Sequence, residues 1–160
     1  MIAMGTKEQN AERFPVRKHP RIRGYDYATP NYYFITICTH QKRRIFWTNG
    51  RLNPHGQIAW EAISRIPEIF PGNRVDSFVI MPNHIHMVLV VEPGGTDATV
   101  VVGSMKSYVT RSIHTKYPEL EVWQTSFHDH VIRSYKQYQR IREYVQTNPM
   151  RWKKDCFYVE

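Results

Sequence analysis

Met81-Pro82-Asn83-His84-Ile85-His86-Met87-Val88-Leu89-Val90-Val91 is the stretch whose reading decides the fold. Pro82-Asn83 signals a turn or bend, and the apolar, β-branched run from Ile85 to Val91 signals a strand. A strand sends alternate side chains to one side, so His84 and His86 present both imidazoles to a single ion or phosphate at the mouth of a sheet. Two half-buried histidines with ordinary hydrogen bonds are the competing reading until a second constellation joins them.

Outward from that strand, Arg74 to Met81 predicts a partner strand, closed by a tight hairpin at Pro82-Asn83. Asn31 to Thr39 is dense in aromatic and β-branched residues and predicts the first strand. Tyr33, Ile35 and Ile37 would share one face, with Tyr32, Phe34, Thr36 and Cys38 on the other, which suits an interior strand covered by helices on at least one side. After the Asn53-Pro54-His55-Gly56 breaker, the spacing of Ile58, Ala59, Ala62, Ile63, Ile66 and Ile69 predicts a helix over Gln57 to Phe70, ended or kinked by Pro67. A second helix is expected from Gly103, with Ser104 as its cap and Met105, Tyr108, Val109 and Ile113 recurring along it. Val122 to Ile132 predicts the last strand. A final helix over Tyr135 to Thr147 would bury Tyr138, Ile141 and Val145 and stop at Asn148-Pro149.

The chain has 160 residues, enough for one domain with a real core, and its net charge of +8 with a pI near 9.6 favours an anionic partner, nucleic acid ahead of membrane lipid. Cys38 and Cys156 are far apart and form no CxxC pair, so neither a disulfide framework nor a cysteine zinc site is indicated. The absence of a signal-peptide core and of any apolar run of spanning length makes a cytoplasmic protein with no membrane partner the expectation. Residues 1–24 read as a basic arm, either laid along a phosphate backbone or merely solubilising, whose order is left open. Residues 25–155 read as the catalytic domain and 156–160 as a tail.

In the last helix, Tyr144 and Asn148 are four residues apart and lie on one face. Two neutral imidazoles and an amide oxygen suit a hard or borderline divalent ion with positions left open for phosphate oxygens. Tyr144, one turn away, is then a candidate nucleophile toward phosphorus, although its ordinary pKa near 10 makes it a weak one unless activated. A second pair, His128 and His130, ranks lower because Asp129 between them offers a local hydrogen-bonding explanation.

The chain resembles the REP-associated tyrosine transposases and, more distantly, other small single-strand transposases. The resemblance is carried by Gly24-Tyr25-Asp26-Tyr27, Tyr33-Phe34-Ile35-Thr36, Met81-Pro82-Asn83-His84-Ile85-His86, Val102-Gly103-Ser104-Met105-Lys106-Ser107, Trp123-Gln124, Phe127-His128-Asp129-His130-Val131-Ile132-Arg133 and Tyr144-Val145-Gln146-Thr147-Asn148-Pro149, in family order. It implies an α/β (α+β), ferredoxin-like single domain with an antiparallel central sheet. It further implies cleavage and joining of single-stranded DNA at hairpins or palindromic repeats through a 5′-phosphotyrosine, with Mg²⁺ or Mn²⁺, by a monomer or homodimer. Tyr144 would be the nucleophile and His84, His86 and Asn148 the metal ligands, with His130 outside the ligand set. Arg17, Lys18, Arg21, Arg23, Lys42, Arg43, Arg44, Lys106, Arg111, Arg133, Lys136 and Arg140 are the candidate DNA contacts. A noncatalytic nucleic-acid-binding protein and a metal-dependent DNA hydrolase, in which water attacks, are the alternatives.

Overall fold

Alternation along two central strands divides the molecule into two apolar layers. The computed structural model describes residues 21–160. Its strands are β1 (Asn31–Cys38), β2 (Trp47–Thr48), β3 (Arg51–Leu52), β4 (Asn73–Ile80), β5 (His84–Val91) and β6 (His128–Val131). Its helices are α1 (Pro54–Ser64), α2 (Ile66–Ile69), α3 (Ala98–His114) and α4 (Tyr135–Thr147). The main sheet is antiparallel with order β4-β5-β1-β6, and β2 and β3 form a separate small ribbon. With α1 between β1 and β4 and α3 between β5 and β6, this is the ferredoxin-like arrangement.

On one face Tyr33, Ile35 and Ile37 of β1 and Ile85, Met87 and Leu89 of β5 are buried with Ala59 and Ile63 of α1 and Val102, Met105 and Val109 of α3. On the other face Phe34, Val88 and Ile132 pack against Ile141 and Val145 of α4. The period of two therefore assigns His84 and His86 to the α4 side, along with Val88. A bulge in β4 at Val75/Ser77 accompanies Asp76, whose two carboxylate oxygens each accept from the Tyr138 hydroxyl at 3.0 Å and so tie α4 to the sheet.

The local chemistry explains most element ends, including four that differ from the sequence-based expectations. α1 begins at Pro54, not Gln57, because Asn53 Oδ1 accepts from Gly56 N at 3.0 Å and Pro54 takes a position that needs no intrahelical N–H. It closes at Ser64, and Pro67 sits inside the short α2 that follows. α3 begins at Ala98, not Gly103, capped by Asp97, with Ser104 inside the helix. Its first turns, Thr99-Val100-Val101-Val102, favour strand by propensity, yet burial of Ala98, Val101, Val102 and Met105 at helical spacing overrides that preference. The last strand is confined to His128–Val131; ahead of it lie one bridge between Thr39 and Trp123 and a hydrogen bond from Gln124 N to Cys38 O at 3.0 Å. No helix among the described residues is long and apolar enough to cross a membrane.

Ile141 is fully buried where α4 meets the sheet. Replacing it with alanine is expected to cost about 2–5 kcal/mol, read from urea unfolding, by the removal of packed methyl groups. A loss under about 0.5 kcal/mol would mean that α4 is only loosely docked.

Candidate metal and tyrosine site

Four of the residues singled out in the sequence meet on the α4 side of the sheet. His84 and His86 are buried, with ring centroids 4.6 Å apart and planes inclined by 71°. Register places Cys38 opposite His84 and Thr36 opposite His86, and the Thr36 hydroxyl lies 2.9 Å from His86 Nδ1. His84 Nδ1 lies 2.8 Å from Asn83 Oδ1. Both imidazoles thus use Nδ1 for a neighbour and turn Nε2 toward the same space.

α4 supplies the other two. Its start is capped by Ser134, whose Oγ accepts from Gln137 N at 3.2 Å, while Gln137 Oε1 accepts from Arg133 N at 2.8 Å. Ile141, Tyr144, Val145 and Asn148 then share the inward face. The Tyr144 ring lies 5.2 Å from the His86 ring and edge-on to Phe34 at 6.3 Å. One turn on, buried Asn148 donates from Nδ2 to Asp155 Oδ2 at 2.7 Å, leaving its Oδ1 for another partner.

Asp155 is the residue that sequence reasoning missed. It caps the 3-10 segment Asn148–Lys154, its Oδ2 is 3.6 Å from His84 Nε2, and candidate ligand atoms of His84, His86 and Asp155 all lie within 4.8 Å of one another. Beyond it, the ring of Phe157 covers His84 at 4.5 Å and Trp152 approaches at 6.2 Å. An acidic residue following Lys153-Lys154 is the only trace of this in the sequence; no periodicity marks it.

The donor set fits a divalent ion. By geometry His84 Nε2, His86 Nε2 and Asn148 Oδ1 are buried without a hydrogen-bond partner among the described residues, and such atoms are costly unless something accepts their lone pairs. Two imidazole nitrogens with an amide and a carboxylate oxygen match a borderline ion better than an all-oxygen site would.

The candidate DNA contacts are dispersed. Arg17 and Lys18 lie outside the described residues. Arg21 packs on the body, donating to Phe127 O at 2.7 Å, pairing with buried Asp129 at 3.0 Å and stacking over the Phe127 ring at 3.6 Å. With Lys106 and Arg111 it lines a groove of about 610 Å³ beside α3, across the sheet from the histidines. Burial, and then the charge of Arg21, lowers the Lys106 pKa. Lys42, Arg43 and Arg44 are exposed after β1; Arg23 is exposed near the start, and Arg133, Lys136 and Arg140 are exposed at and along α4. His128 and His130 pair with Thr36 and Phe34 on β1, one strand beyond the histidine pair of β5.

Burial pushes His84 down to about 4 from its ordinary 6.5, although Asp155 pulls it up. Burial, followed by the charge of His84, holds His86 well below its usual value. Both are neutral at neutral pH, the form that ligates a cation. Unfolded histidines take up protons near 6.5 while these do not, so protons favour unfolding over that interval. The melting temperature of metal-free protein is therefore expected to be level above pH 6.5 and to fall as pH drops from 6.5 toward 4. His86→Gln should flatten part of that slope in circular-dichroism melts; an unchanged slope would place the proton-linked group elsewhere.

The family described as "Transposase IS200 like" matches residues 28–148. A Haemophilus influenzae protein of uncharacterised function is 32% identical, covering 90% of this chain and 94% of its own. The REP-associated tyrosine transposase of Escherichia coli K12 is 27% identical over 74% of this chain and 66% of its own. Among solved structures, a REP-associated tyrosine transposase bound to a REP hairpin superposes with a TM-score of 0.63 at 19% identity, covering 87% of this chain and 74% of that one, a likeness of fold. The matched span runs from the residues before β1 through Asn148 and so contains both histidines and the tyrosine helix: the chain belongs to the IS200-like transposase family.

Proposed function

We propose that this protein cuts and rejoins single-stranded DNA at hairpins or palindromic repeats, with Tyr144 as nucleophile and His84, His86 and Asn148 as ligands of Mg²⁺ or Mn²⁺. The observation that carries the reading is the Tyr144 ring lying 5.2 Å from His86, beside three buried donor atoms without a hydrogen-bond partner among the described residues. A divalent ion held there would polarise the scissile phosphate and offset its developing charge. The Tyr144 oxygen forms a bond to phosphorus as the bond to the 3′ oxygen breaks. The phenol proton leaves, the 3′ oxygen takes one up, and a 5′-phosphotyrosine remains beside a free 3′-hydroxyl. Attack by a 3′-hydroxyl reverses the step and joins strands. Asp155, hydrogen-bonded to Asn148, would hold the amide oxygen toward the ion and stands close enough to add a carboxylate ligand.

Because Tyr144 and His86 come from the same chain, the proximity supports a site assembled within one molecule. The groove of Arg21, Lys106 and Arg111 and the exposed Lys42 to Arg44 turn supply backbone contacts for the folded DNA.

On denaturing gels with labelled hairpin oligonucleotides and Mn²⁺, wild type is expected to give a covalent adduct that Tyr144→Phe lacks. DNA cut without an adduct would favour hydrolysis by water, and binding without cutting would favour a noncatalytic module. Mixing Tyr144→Phe with His86→Ala chains should not restore the adduct; restoration would show exchange of the tyrosine helix between subunits. Lys106→Ala with Arg111→Ala should weaken hairpin binding and reduce its salt dependence by about one counterion per lost phosphate contact. An unchanged salt slope would remove the groove from the DNA path.

A further inference from the structure

We propose that Asn83 is a positioning residue that sets the tautomer of His84, so that Nδ1 carries the proton and Nε2 turns a lone pair into the ion site. This rests on the reading of His84 as a ligand. Asn83 is fully buried in the connection between β4 and β5. Its Nδ2 donates to Lys42 O at 3.2 Å and to Phe157 O at 2.7 Å. Carbonyl oxygens only accept, so the NH₂ end of the amide must face them and the oxygen end must face His84 Nδ1, 2.8 Å away. An amide oxygen likewise only accepts, so Nδ1 must be the donor.

The amide cannot turn over without setting its oxygen against two carbonyls. Its own backbone is held as well, since Asn83 O accepts from Thr39 N and from Thr39 Oγ1, each at 3.0 Å. His86 is under no such constraint: the Thr36 hydroxyl beside its Nδ1 can donate or accept. Two histidines one residue apart thus differ in kind, one with its tautomer dictated and one free to adapt. Hydrogen-bonded partners of this type orient ligating imidazoles and raise their basicity.

The test is long-range ¹H–¹⁵N correlation on metal-free, histidine-labelled full-length protein at neutral pH, with His84 assigned from the His84→Gln spectrum, followed by calorimetric titration with Mn²⁺. Wild-type His84 is expected as the Nδ1–H form. Asn83→Asp should retain it, because a carboxylate still accepts from Nδ1, even where its second oxygen against Lys42 O and Phe157 O lowers the melting temperature. Asn83→Ala should shift His84 toward the Nε2–H form, leave the His86 signals in place, and weaken Mn²⁺ binding by about 10–100-fold. Wild-type His84 found as Nε2–H, or an Asn83→Ala protein with unaltered His84 signals and Mn²⁺ affinity, would overturn the inference. Failure of wild type to bind Mn²⁺ would instead refute the ion site, while the tautomer comparison would still decide the role of Asn83.

Discussion

The antiparallel register between β1 and β5 is the constraint on which the structure depends. It sets Thr36 opposite His86 and Cys38 opposite His84 while filling the opposite face with Tyr33, Ile35, Ile37, Ile85, Met87 and Leu89. A slip of one residue would send that apolar set toward α4 and both imidazoles into the layer beneath α1 and α3. The hydrophobic core and the histidine pair are therefore held by one alternation: the burial that stabilises one face also aims the histidines on the other.

The second requirement is a helix that brings a tyrosine to those histidines. α4 meets it through an apolar stripe on Phe34, Val88 and Ile132 and a polar tie from Tyr138 to Asp76 at the β4 bulge. Arg74 strengthens this edge, bonding the Tyr32 hydroxyl at 2.6 Å and Glu92 at 2.9 Å, while the Tyr32 ring stands edge-on to Tyr138. With the helix so fixed, its period puts Tyr144 on His86 and Asn148 one turn deeper. After Pro149 the chain continues as a 3-10 segment and turns back, which brings Asp155 beside His84 and the Phe157 carbonyl to Asn83.

The local signals were legible where each side chain's role follows from a short period. His84 and His86 share a face because a strand repeats every two residues, and Tyr144 and Asn148 because a helix returns after about one turn. The start of α3 was not legible, since its β-branched opening favours strand and only contact with the sheet reverses that preference. The short β6 reads too long in the sequence for a related reason: Val122 is buried and Trp123 half-buried by one bridge and by packing, not by a continuous ladder.

By itself the sequence determined the two-faced strands, the order of elements, the basic surface charge, and the two pairs of residues that nominate the site. Only the tertiary structure decided that the pairs meet, that Asp155 joins them, and that Thr36 and Asn83 hold the imidazoles. These contacts span long separations: Thr36 is 50 residues from His86, and Asn83 reaches 74 residues to Phe157. Their partners are chosen by how helices dock on the sheet and where the chain returns, and no local period records that choice.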